Sequence, residues 1–150
     1  MRVLIQRVSS ASVLVDKKVI GEIGNGLLLF LGITDYDDFN DIEWLIKKVI
    51  QLRIFNDAGQ KMNCSIDDIK GSFLLISQFT LLAKTKKGNR PSYVRAAKPE
   101  KAIPLYKKFI DELKKTSGLK VESGSFGADM KISLCNDGPV TIWLDSKNKE

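Results

Sequence analysis

The run Phe73-Leu74-Leu75-Ile76-Ser77-Gln78-Phe79-Thr80-Leu81 begins wholly apolar and ends polar. That is the pattern of a buried strand that emerges at a site. With side chains alternating at period two, Gln78 and Thr80 point to one face and Ser77 and Phe79 to the other. An amide and a hydroxyl two residues apart can bind a polar ligand or donate to a developing oxyanion. The plainer alternative is that these groups bond local backbone. A second feature is the pair Gly138-Pro139, set inside Asn136-Asp137-Gly138-Pro139-Val140-Thr141 between two strand-like runs, Lys131 to Cys135 and Val140 to Leu144. Proline fixes φ and lacks an N–H, while glycine tolerates angles closed to other residues, so the pair can aim backbone carbonyls. In the cis form it would present two successive carbonyls in an arrangement a trans bond cannot supply. The alternative is an ordinary hairpin turn.

The chain contains no histidine, which removes the usual base near neutral pH, the Ser-His-Asp and Cys-His arrangements, and the commonest zinc ligand. Catalysis must therefore come from hydroxyls, carboxylates, lysines, backbone dipoles or the substrate. Thr80 as a nucleophile would need a base within hydrogen-bond reach, which argues against covalent catalysis. No clustered thiols or carboxylates suggest a dedicated metal site, and no cofactor is expected. The segment Gly124-Ser125-Phe126-Gly127-Ala128-Asp129-Met130 suits an aromatic or purine pocket, or else a loop whose Phe126 and Met130 fill the core.

The elements that must position these groups are legible as patterns. Val3, Ile5 and Arg7 share one face of a first strand, which places Arg7 with an apolar set. Ser12 to Val15 and Val19 to Ile23, around Asp16-Lys17-Lys18, read as a hairpin, and Gly24-Asn25-Gly26 turns into a buried strand, Leu27 to Ile33. Asp35 to Asp38 supply cap and first-turn carboxylates to a helix whose apolar positions run from Phe39 to Leu52. Arg53 to Phe55 reads as a short strand before the turn Asn56-Asp57-Ala58-Gly59, and Phe73 to Phe79 as a buried one. A second helix runs from Pro99 through Lys115, with Pro104 a cost unless the regular helix begins near it, and closes at Ser117-Gly118. Two last strands flank Gly138-Pro139, and Ser146 to Glu150 reads as a frayed polar tail. The expectation is an α/β chain of one domain, residues 1–150. It has a mixed, largely antiparallel sheet or partly closed barrel, covered by two main helices.

At 150 residues and 43% hydrophobic, such a domain needs no disulfide staple. Cys64 and Cys135 lie far apart and read as reduced thiols, which suggests the cytoplasm. Met1 to Val8 has no signal-peptide core, and the longest apolar run, Leu27 to Leu31, is far short of a membrane span. The net charge of +6 gathers after residue 83. Lys84, Lys86, Lys87, Arg90, Arg95, Lys98 and Lys101 stand against one acid, Glu100, and Lys107, Lys108, Lys114 and Lys115 follow. A phosphate-bearing partner fits this cluster, as does a merely solvated surface.

Several of these stretches together resemble the D-aminoacyl-tRNA deacylase family. They are Met1-Arg2-Val3 through Gln6-Arg7-Val8, Ser77-Gln78-Phe79-Thr80-Leu81, Gly88-Asn89-Arg90-Pro91-Ser92, Phe126-Gly127-Ala128 with Met130, and Asn136-Asp137-Gly138-Pro139-Val140-Thr141. The resemblance implies a translation quality-control hydrolase that releases D-amino acids from mischarged tRNA. It also implies a homodimer with active sites at the subunit interface, in which a cis Gly138-Pro139 reaches into the partner's site and excludes L side chains. On that footing Arg7 orients the Gly-Pro segment, Ser77, Gln78, Phe79 and Thr80 surround the scissile ester, and Phe126, Ala128 and Met130 shape an adenosine pocket. A ribose 2′-OH of the substrate would then supply help that no histidine gives. Two rivals remain: an RNA-binding module without catalysis, using Lys84 to Lys101 on phosphates and Phe126 on a base, and a ligand-free dimerisation scaffold.

Overall fold

The computed structural model describes residues 1–150. Its spine is β1 (Arg2–Val15), which joins β2 (Lys18–Ile23) through a two-residue turn. Asp16 and Lys17 both take positive φ there, 49° and 65°, the conformation whose twist matches paired antiparallel strands. Then come β3 (Gly26–Gly32), α1 (Phe39–Gln51), a small ribbon of β4 (Phe55–Asn56) and β5 (Met62–Cys64), β6 (Ser72–Ser77) and a one-turn 3₁₀ helix (Phe79–Leu82). α2 (Pro99–Ser117), β7 (Val121–Ser123) and β8 (Lys131–Asp145) complete the chain.

The sheet runs β2-β1-β3-β6-β7, with β8 on the other flank of β1. β3, β6 and β7 are mutually parallel, and every pairing of β1 is antiparallel. Parallel strands are covered on both faces, which is why Leu27 to Leu31 and Phe73 to Ile76 are continuous apolar runs. Alternation then divides them between two cores. Val3, Ile5, Leu27, Leu29, Leu31, Phe73 and Leu75 face the helices. Leu28, Leu74 and Ile76 face inward with Val8, Ala11, Val13 and Ile23. Each full burial of such a side chain stabilises the fold by roughly 1.5–3 kcal/mol. The inner core exists because the sheet curls: β2 returns over β6 and β7, bringing Gly21 against the Leu74 side chain and the Ser123 backbone, while Lys120 Nζ donates to Glu22 O at 3.0 Å. The expected α/β architecture, a mixed, largely antiparallel and partly closed sheet under two helices, is what forms.

Several local expectations change. The two last strands are one, because both runs pair with β1, from Leu14↔Lys131 to Arg2↔Asp145. Gly138-Pro139 is therefore a bulge in a continuous strand rather than a hairpin turn. Arg53 lies outside β4, which pairs with β5, a strand that no pattern in the sequence announces. α2 does begin at Pro99 and carries Pro104 within it; Pro104 and Glu100, whose carbonyl loses its partner, both face solvent. Asp38 caps α1 through Asn40 N–H at 2.9 Å, with Asp41 reciprocating to Asp38 N–H at 2.8 Å. Asp37, by contrast, accepts from Thr34 N–H and the Met1 ammonium, at 2.7 and 2.5 Å.

The tail is not frayed where it begins. Ser146 is buried, its N–H donating to Met1 O and its hydroxyl accepting from the Met1 ammonium, both at 2.9 Å. Lys147 Nζ reaches Asp41 at 2.8 Å. Burial alone would raise the Asp41 pKa, but hydrogen bonds from Lys147, Ser146 and the Asp38 backbone outweigh it and hold the carboxyl down to about 2. A carboxyl with a depressed folded-state pKa stabilises the fold above its ordinary value of 3.8, and this contribution is lost as pH falls toward 2. The urea midpoint of Asp41→Asn should therefore lie well below that of the unaltered protein at about pH 6, with the gap narrowing as pH drops through that window. A gap independent of pH would refute the ionic role of Asp41.

Candidate active site

β6 stays in the sheet as far as Ser77, whose Cα is paired with Leu31 of β3. The next N–H, of Gln78, donates to Leu31 O at 2.7 Å, and the backbone then folds into the 3₁₀ turn. The strand therefore ends two residues before the expected Phe79, and Phe79 and Thr80 do not alternate across a strand. Gln78 and Thr80 nevertheless meet, since the Gln78 side-chain amide donates to the Thr80 hydroxyl. The turn closes through Leu81 N–H to Gln78 O and Ala83 N–H to Thr80 O, at 3.2 and 3.1 Å. The Phe79 and Thr80 N–H groups precede these bonds and remain available to a ligand.

A cavity of about 280 Å³ opens at this strand end. Ser77, Gln78 and Phe79 line one side, Phe126, Ala128 and Met130 another, and Leu31, Ile33, Ala97 and Ala102 its apolar floor and wall. Six residues singled out in the sequence, from two segments some fifty positions apart, thus share one chamber. Thr80 stands at its edge through Gln78. The loop that follows β7 brings in Phe126, whose ring leans on Tyr106 of α2 with centroids 5.7 Å apart. Phe126 is thus both pocket wall and core neighbour, joining the two alternatives that the sequence left open.

The basic segment begins at the rim of this cavity. Phe79, 56% exposed, meets the edge of Tyr93 with centroids 4.9 Å apart. Lys84 and Ser92 exchange backbone hydrogen bonds of 2.8 and 3.0 Å, and Ala97 N–H donates to Ile33 O at 2.9 Å. Lys84, Lys86, Lys87, Arg90, Arg95 and Lys98 are all exposed, and none forms an ion pair. This leaves a field of unneutralised positive charge beside the cavity.

The Gly-Pro bulge lies elsewhere. β8 leaves its register with β1 between Asn136, opposite Val8, and Thr141, opposite Gln6. Asn136 and Thr141 side chains close the base of the excursion at 3.0 Å. Arg7 fills the space beneath. Only 6% exposed, it donates from Nε to Asp137 O at 3.1 Å and from Nη1 to Ile54 O at 2.5 Å, with the Asp137 carboxylate 3.3 Å from Nε. Gly138-Pro139 is cis and exposed. Arg7 sits opposite Leu27 at the start of β3, whereas the cavity begins at Leu31 near that strand's end. Gly138, Pro139 and Arg7 therefore do not line their own chain's cavity.

The D-Tyr-tRNA(Tyr) deacylase family matches residues 4–145 of this chain. Proteins named D-aminoacyl-tRNA deacylase from Flavobacterium psychrophilum and Chromobacterium violaceum are 59% and 57% identical to it, over the full length of both chains in each comparison. A solved structure of a c-Myc DNA unwinding element binding protein superposes with a TM-score of 0.91 at 38% identity, covering 97% of this chain and 98% of the other.

Gly138 offers a direct check on the bulge. Its φ is +119°, and a Cβ there would stand 2.6 Å from Arg7 Nη2 and 3.1 Å from Val140 Cγ2. Gly138→Ala should thus cost about 1–3 kcal/mol in urea unfolding and loosen the Arg7 anchor. An alanine variant of unchanged stability would mean that the bulge is not held as described.

Proposed function

The chain belongs to the D-Tyr-tRNA(Tyr) deacylase family, and on that premise we propose that it hydrolyses the ester of D-aminoacyl-tRNA, releasing the free D-amino acid and tRNA while sparing L-aminoacyl-tRNA. The observation that carries this reading is the single cavity where Ser77, Gln78 and Phe79 face Phe126, Ala128 and Met130 beside an unneutralised basic segment. Such a chamber can hold a terminal adenosine against the apolar and aromatic wall, with the ester at the strand end. The tRNA phosphates extend over Lys84 to Lys101.

In the proposed reaction water adds to the ester carbonyl, the developing oxyanion accepts from the Phe79 and Thr80 N–H groups, and the carbonyl-to-ribose oxygen bond breaks. The ribose oxygen leaves with a proton from the water. Gln78 and Thr80 hold each other in place, so Thr80 positions groups and the substrate's 2′-OH assists the water. Donors aimed at an oxyanion in this way each contribute about 2.7–4 kcal/mol.

The second part of the proposal is a homodimer. Gly138-Pro139 is presented outward by Arg7 and does not line its own cavity, which fits a role in the site of a second copy. There it would meet the substrate's α-amino group and occupy the space of an L side chain. β8 pairs only with β1, and Leu134 and Trp143 on it are exposed, a surface suited to burial between copies. We place the enzyme in the cytoplasm as a single 1–150 domain.

Matched D- and L-tyrosyl-tRNA test the reading. The D ester should be lost catalytically and the L ester spared, and Gly138→Ala should reduce turnover. If neither ester is cleaved while tRNA binds with salt-dependent affinity, the chain is an RNA binder on a deacylase fold. Thr80→Val should slow hydrolysis without any acyl-enzyme accumulating on the unaltered protein; trapping that intermediate would make Thr80 the nucleophile. Charge removal at Lys87 and Arg90 should raise KM, lower its salt dependence and leave kcat unchanged.

A further inference from the structure

Alternation along β1 sets Arg2 with Leu4 and Gln6, on the face opposite Val3 and Ile5, and assigns it no task. Strand register gives it one. Arg2 lies between Gly32 of β3 and Asp145 of β8, directly opposite each, so the three positions share one face of the sheet. Gly32 brings no side chain to that row. A Cβ there would stand 3.2 Å from Gln78 O, 3.2 Å from Leu81 Cβ and 3.5 Å from Leu82 Cγ, so the 3₁₀ turn is seated on the bare glycine. The Arg2 side chain reaches the same turn. Its Nη1 donates to Leu81 O at 3.0 Å while Nε donates to Asp145 Oδ2 at 2.8 Å, and its Cζ lies 5.4 Å from the centroid of the Trp143 ring.

These contacts fasten the far end of a weakly closed element. A single 3₁₀ turn has poorly aligned hydrogen bonds, here of 3.2 Å from Leu81 N–H to Gln78 O and 3.1 Å from Ala83 N–H to Thr80 O. Its entry is fixed to β3 by the Gln78 N–H on Leu31 O, and its exit to β1 by Arg2 on Leu81 O. Between these two anchors stand Gln78, Phe79 and Thr80. Arg2 does not belong to the charge field beside the cavity. Its side chain is 24% exposed and paired with Asp145, whereas Lys84, Lys86, Lys87, Arg90, Arg95 and Lys98 are exposed and form no ion pair. Burial alone would raise the Asp145 carboxyl, but hydrogen bonds from the Lys147 N–H and from Arg2 hold it below its ordinary pKa, so the pair stays charged at neutral pH.

We propose that Arg2 is a positioning residue of the site: oriented by Asp145 and Trp143, its guanidinium holds the end of the 3₁₀ turn and thereby sets Gln78, Phe79 and Thr80 against the ester. It acts through Leu81 O and touches no substrate. Arginine suits the task because Nε and Nη1 leave one rigid plane in two fixed directions, toward a carboxylate and a carbonyl at once. Gly32 is the other half of the device, since its missing side chain lets the turn come within reach of Arg2. The kinetic side of this inference rests on the deacylase reading, whereas its structural side does not.

Arg2→Met keeps an unbranched stem and removes the guanidinium. In this variant the Leu81 and Ala83 amides, which close the turn, should exchange hydrogen at least about tenfold faster, while the β6 amides that face β3 keep their protection. With D-tyrosyl-tRNA, kcat should fall about tenfold, with KM and its salt dependence within about twofold of the unaltered protein. Arg2→Lys retains the charge beside Asp145 and an ammonium for Leu81 O, and should lie between the two proteins on both measures. Unchanged kcat in Arg2→Met, or unchanged exchange at Leu81 and Ala83, would overturn the proposal. So would equal acceleration across all of β6, the mark of a general loss of stability. A raised KM with weakened salt dependence at unaltered kcat would make Arg2 a phosphate contact instead. If the unaltered protein cleaves no ester, the deacylase reading falls and the exchange result alone decides the role of Arg2.

Discussion

A guanidinium almost wholly withdrawn from water is the constraint on which the rest of this structure depends. Arg7 stands in the middle of β1, on the face it shares with Val3 and Ile5, and a charge buried there costs several kcal/mol unless it is paired and hydrogen-bonded. Backbone oxygens of Asp137 and Ile54 answer it, and no buried side-chain polar atom in the chain is left without a partner. One side chain thereby ties the first strand to the bulge of the last and to the segment entering β4. Alanine or methionine at this position would leave two carbonyls unanswered and the bulge unsupported. The fold cannot satisfy Arg7 without also fixing the direction in which Gly138-Pro139 points.

The same economy is visible at the strand end. A parallel sheet buries its backbone well only while neighbours continue on both edges, and β6 must lose one neighbour to open a cavity. Leu31 O takes the Gln78 N–H on one edge, and Leu75 O takes both the Gly124 N–H and the Tyr106 hydroxyl on the other, so the chain leaves the sheet and turns with these groups partnered. The polar residues that follow then appear where the sheet stops supplying partners. This is why a run that starts Phe-Leu-Leu-Ile ends Ser-Gln-Phe-Thr.

Features with a local cause were legible in the sequence. The buried strands, both amphipathic helices, the Asp16-Lys17 turn and the placement of Arg7 with an apolar set follow from spacing alone. The convergence of the Ser77 and Phe126 segments was legible only through the family resemblance, since nothing local links them. Most of the differences share a cause: they depend on a partner remote in sequence. Ser146 and Lys147 look like a loose tail because their partners are Met1 and Asp41. Lys131 to Leu144 looks like two strands because a Gly-Pro pair interrupts it, and only its common partner β1 shows it to be one. Tyr106 has the spacing of a core aromatic, and its hydrogen-bond acceptor lies 31 residues away. The 3₁₀ turn after Ser77 had no glycine or proline to announce it.

The pairing of β1 with β8, from Arg2↔Asp145 to Leu14↔Lys131, joins the first part of the chain to the last. During synthesis from the N-terminus, β1, β2 and β3 can assemble early, yet the outer edge of β1 must wait for the final strand to leave the ribosome. Until then a long unpaired edge stands open, and Arg7 lacks the carbonyl of Asp137. Such high contact order slows folding and leaves the nascent chain dependent on protection from edge-to-edge association. It also means that a chain truncated before β8 keeps most of the cavity wall but has neither a settled arginine nor a Gly-Pro bulge to offer another copy.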